Sequence, residues 1–191
     1  MGKIKILSES DEKIRFIFEG DVKFANAIRR YAMSRVPVFA IDKVIFYENK
    51  SAFFDEYIAH RLGLLPITSP DDVDPEKVGF YLDAIGPAKV YSQDLLSNNE
   101  KVKVAFNDIP IITLAEGQSI RLEAYIRKGI GREHMKFQAS ITSYKQIDDN
   151  KFEFFIESLG HMKAKDILIK ALNEMDKDLD SLSKSLNIES L

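Results

Sequence analysis

The apolar residues near the start of the chain change their spacing at one point, Asp21. Upstream, in KIRFIFEG (Lys13–Gly20), Ile14, Phe16 and Phe18 fall two apart, the period of a strand with one buried face. Downstream, Phe24, Ala27, Ile28, Tyr31 and Ala32 fall three or four apart, which is the stripe of an amphipathic helix. A strand must therefore turn into a helix at Asp21, whose carboxylate is placed to accept from the orphan amides of the first turn. The preceding KIKIL (Lys3–Leu7) also alternates, and the polar SESDE between the two runs predicts an antiparallel pair. Pro37 bars continuation of the helix because it has no amide proton and restricts Val36.

The far end repeats this order. Phe152–Gly160 reads as a strand, and a helix is predicted from Ala164 to about Leu186. Its apolar positions, Ala164, Leu168, Ala171, Leu172, Met175, Leu179, Leu182 and Leu186, form a narrow leucine-rich seam. Such a seam fits two uses, covering the chain's own sheet or meeting a helix of another protein. Between the ends, Phe39–Asn49 reads as a strand with Val44 and Phe46 on one face, and a short helix is expected at about Ala52–Arg61. The acidic, proline-bearing Thr68–Gly79 marks a change of character. After it come short strand candidates in FYLDAI, AKVYSQD, KVKVAF, IPIITL, SIRLEAYIRKG and MKFQASITSY. The pattern predicts an α+β protein in which both termini build one unit and the β-rich middle a second.

Composition closes off several kinds of chemistry. The 191 residues contain no cysteine, which removes disulfides, thiolate catalysis and cysteine-held zinc or iron–sulfur sites. A formal charge of −3 gives no global drive toward nucleic acid. His60, His134 and His161 are too scattered to suggest a metal site. Asp71, Asp72 and Asp74 lack calcium-loop spacing and read as a solvated turn. Glu56 and His60 stand four apart on the short helix and can pair, but no nucleophile accompanies them. GIGREH has neither the Rossmann spacing nor a P-loop lysine. Catalytic, cofactor-binding and metal-ligating residues are accordingly all expected to be none. One basic run stands out, RKGIGREHMK (Arg127–Lys136), which reads either as a solvated charge run or as a patch for phosphate or acidic protein surfaces. The N-terminus lacks a signal-like apolar stretch, and no run is long enough to cross a bilayer.

Two long stretches, FANAIRRYAMSRVPVFAID and ENKSAFFDEYIAHRLGLLPI, resemble the D-subunit family of archaeal RNA polymerase. That family is related to the eukaryotic third-largest subunit and to the N-terminal region of bacterial alpha. The resemblance continues through GPAKVYSQDL, IPIITLAEGQSIRLEAYIRKGIGREHMKFQ and FEFFIESLG, covering nearly the whole chain in order. It implies an alpha-like dimerization domain of about 1–45 and 148–191, interrupted by an inserted polymerase-assembly domain of about 46–147.

The function implied is assembly of the polymerase rather than its chemistry. The dimerization domain would pair with a smaller alpha-like subunit, L, and the insert would help hold the large subunits, with small assembly subunits as further partners. Contact with DNA or RNA would be mainly indirect, with no membrane association and a cytoplasmic location. Assembly candidates are Asn26, Arg29, Arg30, Asp55, Glu56, His60 and Arg61. Dimer-interface candidates are Phe24, Ala27, Ile28, Tyr31, Leu168, Leu172, Met175, Leu179 and Leu182. Many relatives carry a cysteine-rich domain holding iron–sulfur clusters; here SITSYKQIDDNKFEFFIES passes directly between strands, so no such cofactor is expected. Phe137 stands where family members commonly have tryptophan, a packing change that loses the indole donor. Without the resemblance, composition and motif physics alone point to a generic protein-binding or homodimeric adaptor outside polymerase, with an independent hydrolase a distant third.

Overall fold

A computed structural model describes residues 2–186 of the chain. Its strands are β1 (Lys3–Glu9), β2 (Lys13–Glu19), β3 (Pro37–Asn49), β4 (Gly79–Ile85), β5 (Ala88–Tyr91), β6 (Leu96–Ser97), β7 (Pro110–Leu114), β8 (Ser119–Ile130), β9 (Ser140–Asp148) and β10 (Lys151–Ser158). The helices are α1 (Val22–Ser34), α2 (Asp55–Gly63) and α3 (Ala164–Ser185). Contacts divide them into two compact units. A terminal unit takes the described residues up to Pro37, then 130–133 and those from Gln138 onward; a central unit takes 38–129 and 134–137. These boundaries differ from 45/46 and 147/148. The chain from Val38 onward belongs to the central unit, whose core takes Phe39 and Ile41, while β9 pairs along its length with β10 and so joins the terminal one.

In the terminal unit the sheet order is β1-β2-β10-β9, and every neighbouring pair is antiparallel. The register sets Ile14, Phe16 and Phe18 opposite Ile156, Phe154 and Phe152. Directly opposed residues share a face, so the two chain ends together make one apolar wall. The Phe16 and Phe154 rings stack there, with centroids 4.9 Å apart. Both α1 and α3 pack on this sheet and on each other. Asp21 caps α1 as its position predicts, accepting from the Lys23 amide at 2.6 Å. The helix ends as the Arg35 amide donates to the Tyr31 carbonyl, and Pro37 opens β3.

The central unit has a four-stranded sheet, β3-β8-β4-β6, and a smaller β5-β7 pair. Alternation along β8 buries Ile120, Leu122, Ala124 and Ile126 against Phe39, Ile58 and Leu62 of the same core. The turn before β8 passes through Gly117 at φ +76°, a backbone conformation that side-chained residues resist. Two expectations shift here. KVKVAF forms no strand: Val102 and Val104 are buried, but Val104 makes only an isolated bridge to Ile67. The short helix begins at Asp55 rather than Ala52, because Asn49 and Ser51 hydrogen-bond the Phe53 carbonyl and hold the approach as a loop.

The stacked phenylalanines yield a direct check. Phe154→Ala should lower the unfolding free energy by about 3–5 kcal/mol, read by urea denaturation. Ile141→Ala, at an exposed position of β9, should cost less than about 0.5 kcal/mol.

Candidate interaction surfaces

On the terminal unit, α1 and α3 bury one set of residues and expose another. Ala25, Ile28 and Ala32 of α1 and Ala164, Ile167, Leu168, Ala171 and Met175 of α3 are buried. Ile28, Leu168 and Met175, expected at a dimer interface, thus belong to the unit's own core. Ala27, Tyr31 and Leu172 are half-buried, and Phe24 is exposed. Leu179 and Leu182 are 59% and 56% exposed. The seam divides: its first half covers the sheet, and its second half faces outward.

Phe24, Ala27, Tyr31, Met175 and Leu179 line one open groove, with Asp21 and Lys23 at its rim. A polar clamp fixes the two helices beside it. The Tyr31 hydroxyl donates to Asp178 Oδ2 at 2.7 Å, and Arg35 Nη2 lies 3.0 Å from the same oxygen. The bond to Asp178 pushes the Tyr31 hydroxyl above the usual phenol range, burial adds to this, and the Arg35 charge works against it. Arg29 donates from Nε and Nη2 to Asn26 Oδ1 at 3.2 and 3.0 Å, which holds its guanidinium along the helix. Arg30 is exposed. The interface expectation omitted Ile4 and Ile6 of β1, which are exposed yet lie opposite Phe18 and Phe16 on the core side of the sheet. The alternation of KIKIL carried that signal.

On the central unit, α2 buries Ile58 and Leu62 and turns Asp55, Glu56 and His60 outward. The acids occupy its first turn, and His60 and Arg61 its last, the order the helix dipole favours. Asp55 Oδ1 accepts from Asn49 Nδ2 at 2.7 Å. Arg61 Nη2 donates to the Pro110 carbonyl, which ties the helix to β7. Among the described residues Glu56 and His60 form no ion pair. An aromatic cluster was absent from the expected surface: Phe53 stacks on Tyr57 at 4.8 Å, and neighbouring Phe54 is 83% exposed. The four-residue spacing of Phe53 and Tyr57 was its trace in the sequence.

Two cations of the basic run Arg127–Lys136 are held internally, while Lys128 and Arg132 are exposed. Lys136 Nζ lies 2.6 Å from Asp42 Oδ1 and Arg127 Nε 3.3 Å from Oδ2. Both cations also stand over the Phe137 ring, at 4.7 Å for Arg127 and 5.2 Å for Lys136. Phe137 is fully buried against Gly129, where an added β-carbon would come within 2.8 Å of the ring. These two cations therefore stabilise the β8 end of the unit internally. In the acidic loop Asp74 accepts from the Glu76 amide and Asp72 pairs with Lys101, so turn and ion-pair chemistry account for both.

Asp42 gives a pH prediction. The hydrogen bond from Lys136 holds its carboxyl below the usual range, burial opposes this, and the charges of Lys136 and Arg127 reinforce it. A depressed carboxyl adds stability above its unfolded pKa, about 3.9, and loses it as pH falls through the folded value. Asp42→Asn should therefore melt lower than the parent at neutral pH, by no more than about 1 kcal/mol given its exposure. Melting curves recorded at successively lower pH should show that gap close below about pH 4.

Among the described residues no helix is long and apolar enough to cross a membrane. The family described as the RNA polymerase Rpb3/RpoA insert domain matches residues 41–150. The chain is 42% identical over 177 residues to DNA-directed RNA polymerase subunit Rpo3 of Methanocaldococcus jannaschii, covering 93% of this chain and 92% of that protein. The Rpo3 subunits of Pyrococcus horikoshii and Thermococcus kodakarensis are 47% and 46% identical, over 76% and 77% of this chain. Of those two longer relatives the chain spans 60%. The match runs through both units, over the central strands and the helices that flank them, and the chain belongs to the Rpo3 family of archaeal DNA-directed RNA polymerase subunits.

Proposed function

We propose that the chain is a noncatalytic assembly subunit of DNA-directed RNA polymerase. Its terminal unit pairs with the smaller alpha-like subunit, L, and its central unit engages the large catalytic subunits. The observation that carries this reading is the groove lined by Phe24, Ala27, Tyr31, Met175 and Leu179, continued by exposed Leu182. Met175 closes the floor of the groove from the unit's own core, while Phe24, Leu179 and Leu182 stay exposed, so covering them removes apolar surface at about 25 cal/mol per Å², before the costs of association. Family membership supports polymerase as the setting, and with it a place in the archaeal cytoplasm. On the central unit, exposed Asp55, Glu56 and His60 beside Phe53, Phe54 and Tyr57 offer the large subunits aromatic anchors with a charged rim.

The residues present do not fit an iron–sulfur cluster, since the 191 residues hold no thiolate to bind one. Small assembly subunits complete the partner set, and nucleic acid is reached through the complex. A second reading uses the same groove: two copies of the chain pair through it as a homodimeric adaptor. Isolation of the untagged complex, with subunit identification and a mass measurement, separates the two.

Two substitutions test the division of labour. Leu179→Asp puts a charge into the groove from an exposed position, and should weaken pairing with L about tenfold or more while the chain stays folded. Unchanged copurification with L would place the interface elsewhere. Arg30→Glu should leave that pairing intact and reduce recovery of the large subunits; holoenzyme of normal composition would remove Arg30 from their contact.

A further inference from the structure

The outer face of the β8–β4–β6 sheet carries chemistry that neither the α1–α3 groove nor α2 uses. Because alternate residues of β8 are buried, Arg121, Glu123 and Tyr125 point away from the core. Register sets Tyr81 directly opposite Glu123, Gly79 opposite Tyr125 and Asp83 opposite Arg121; on its other side Tyr81 faces Leu96. Tyr81, Tyr125, Glu123 and Leu96 line one open cleft with Asn98 and Gly79. Tyr81 and Tyr125 are 40% and 38% exposed, and Leu96 is 63% exposed.

The cleft is held open. Gly79 places no side chain in it: a β-carbon there would sit 3.6 Å from the Tyr125 ring and 3.9 Å from Asn98 Nδ2. The wall behind is fixed, since Asn98 Oδ1 accepts from the Gly79 amide at 3.0 Å and the Asn98 amide donates back to the Gly79 carbonyl at 3.0 Å. Glu123 accepts the Tyr125 hydroxyl at 2.6 Å, and the same carboxylate pushes the Tyr47 hydroxyl above the usual phenol range. A carboxylate has about four acceptor positions, so room is left for further donors. Arg121, two residues along the same face, has Asp83 opposite it in register, and the other residues that line the cleft with Glu123 are uncharged. Strand propensity explains tyrosines on an exposed sheet. It does not explain an acid set between two rings, beside a gap and an exposed leucine.

A planar cation matches these features. A guanidinium can lie on a tyrosine ring and present its fork of donors to a carboxylate, which an ammonium cannot do in the same geometry. We infer that this cleft receives an arginine side chain of a partner polypeptide, stacked on the tyrosines and paired with Glu123, with an adjacent apolar side chain on Leu96. The inference rests on the assembly reading, which makes the partner another polymerase subunit.

The test places a photo-crosslinking amino acid at Leu96 of the full chain, expressed within the polymerase, and maps the adducts by mass spectrometry. The expected adduct lies in a segment of another subunit that contains arginine. Adding Glu123→Gln should lower its yield about tenfold, the loss of one charge-assisted contact, while L remains bound. Polymerase of normal composition with no intersubunit adduct, or an adduct in a segment without arginine, overturns the cleft assignment and leaves the assembly reading standing. So does an unchanged yield with Glu123→Gln. A chain that purifies with no polymerase subunit overturns both. The identity of the adduct in the otherwise unaltered chain is independent of how Glu123→Gln folds.

Discussion

The pairing of β2 with β10 is the constraint on which the terminal unit depends. It sets Ile14 opposite Ile156 and Phe18 opposite Phe152, so residues far apart in sequence form a single apolar wall. Neither strand offers α1 and α3 enough surface alone. Once the wall exists, Ile28, Ala32, Leu168 and Ala171 have a core to enter, and the Tyr31–Asp178–Arg35 clamp fixes the helices upon it. What that core leaves uncovered is then determined as well: Phe24 rests on Phe18 at the edge of the wall and stays partly exposed, and Leu179 and Leu182 lie outside it.

The elements with a clean period were legible in the sequence. Alternation at Ile14, Phe16 and Phe18, the capping acid at Asp21 and the proline after Val36 define β2 and α1 to within a residue or so. The elements that needed a neighbour were harder to read. KVKVAF alternates well, yet a strand exists only where another chain segment accepts its ladder, and Val104 finds just Ile67. The domain boundary moved for a related reason. MKFQASITSY looks continuous, but Phe137 turns toward Gly129 in the central unit while Ser140 donates to the Ala32 carbonyl in the terminal one.

The candidate surfaces divide along the same line. A helical seam can be counted from spacing, but the split between buried Met175 and exposed Leu179 depends on where the sheet stops, which spacing does not encode. Charge runs were less legible than apolar ones. Arg127 and Lys136 suggested an outward patch, yet both turn back onto Asp42. Glu123 attracted no notice in the sequence, because its meaning comes from Tyr81 across the sheet and Tyr125 along the strand.

The order in which the terminal unit's strands leave the ribosome has a consequence of its own. β1, β2 and α1 emerge first, yet β10, the second neighbour of β2, follows only after the whole central unit. Phe16 and Phe18 must therefore wait, exposed, while the intervening residues are synthesised, and long-range strand pairing is slow even afterwards. The central unit draws its main sheet from a continuous run of chain and can form meanwhile. A groove built on α1 and α3 cannot exist until α3 has emerged, so the groove is itself a mark that both ends of the unit have met.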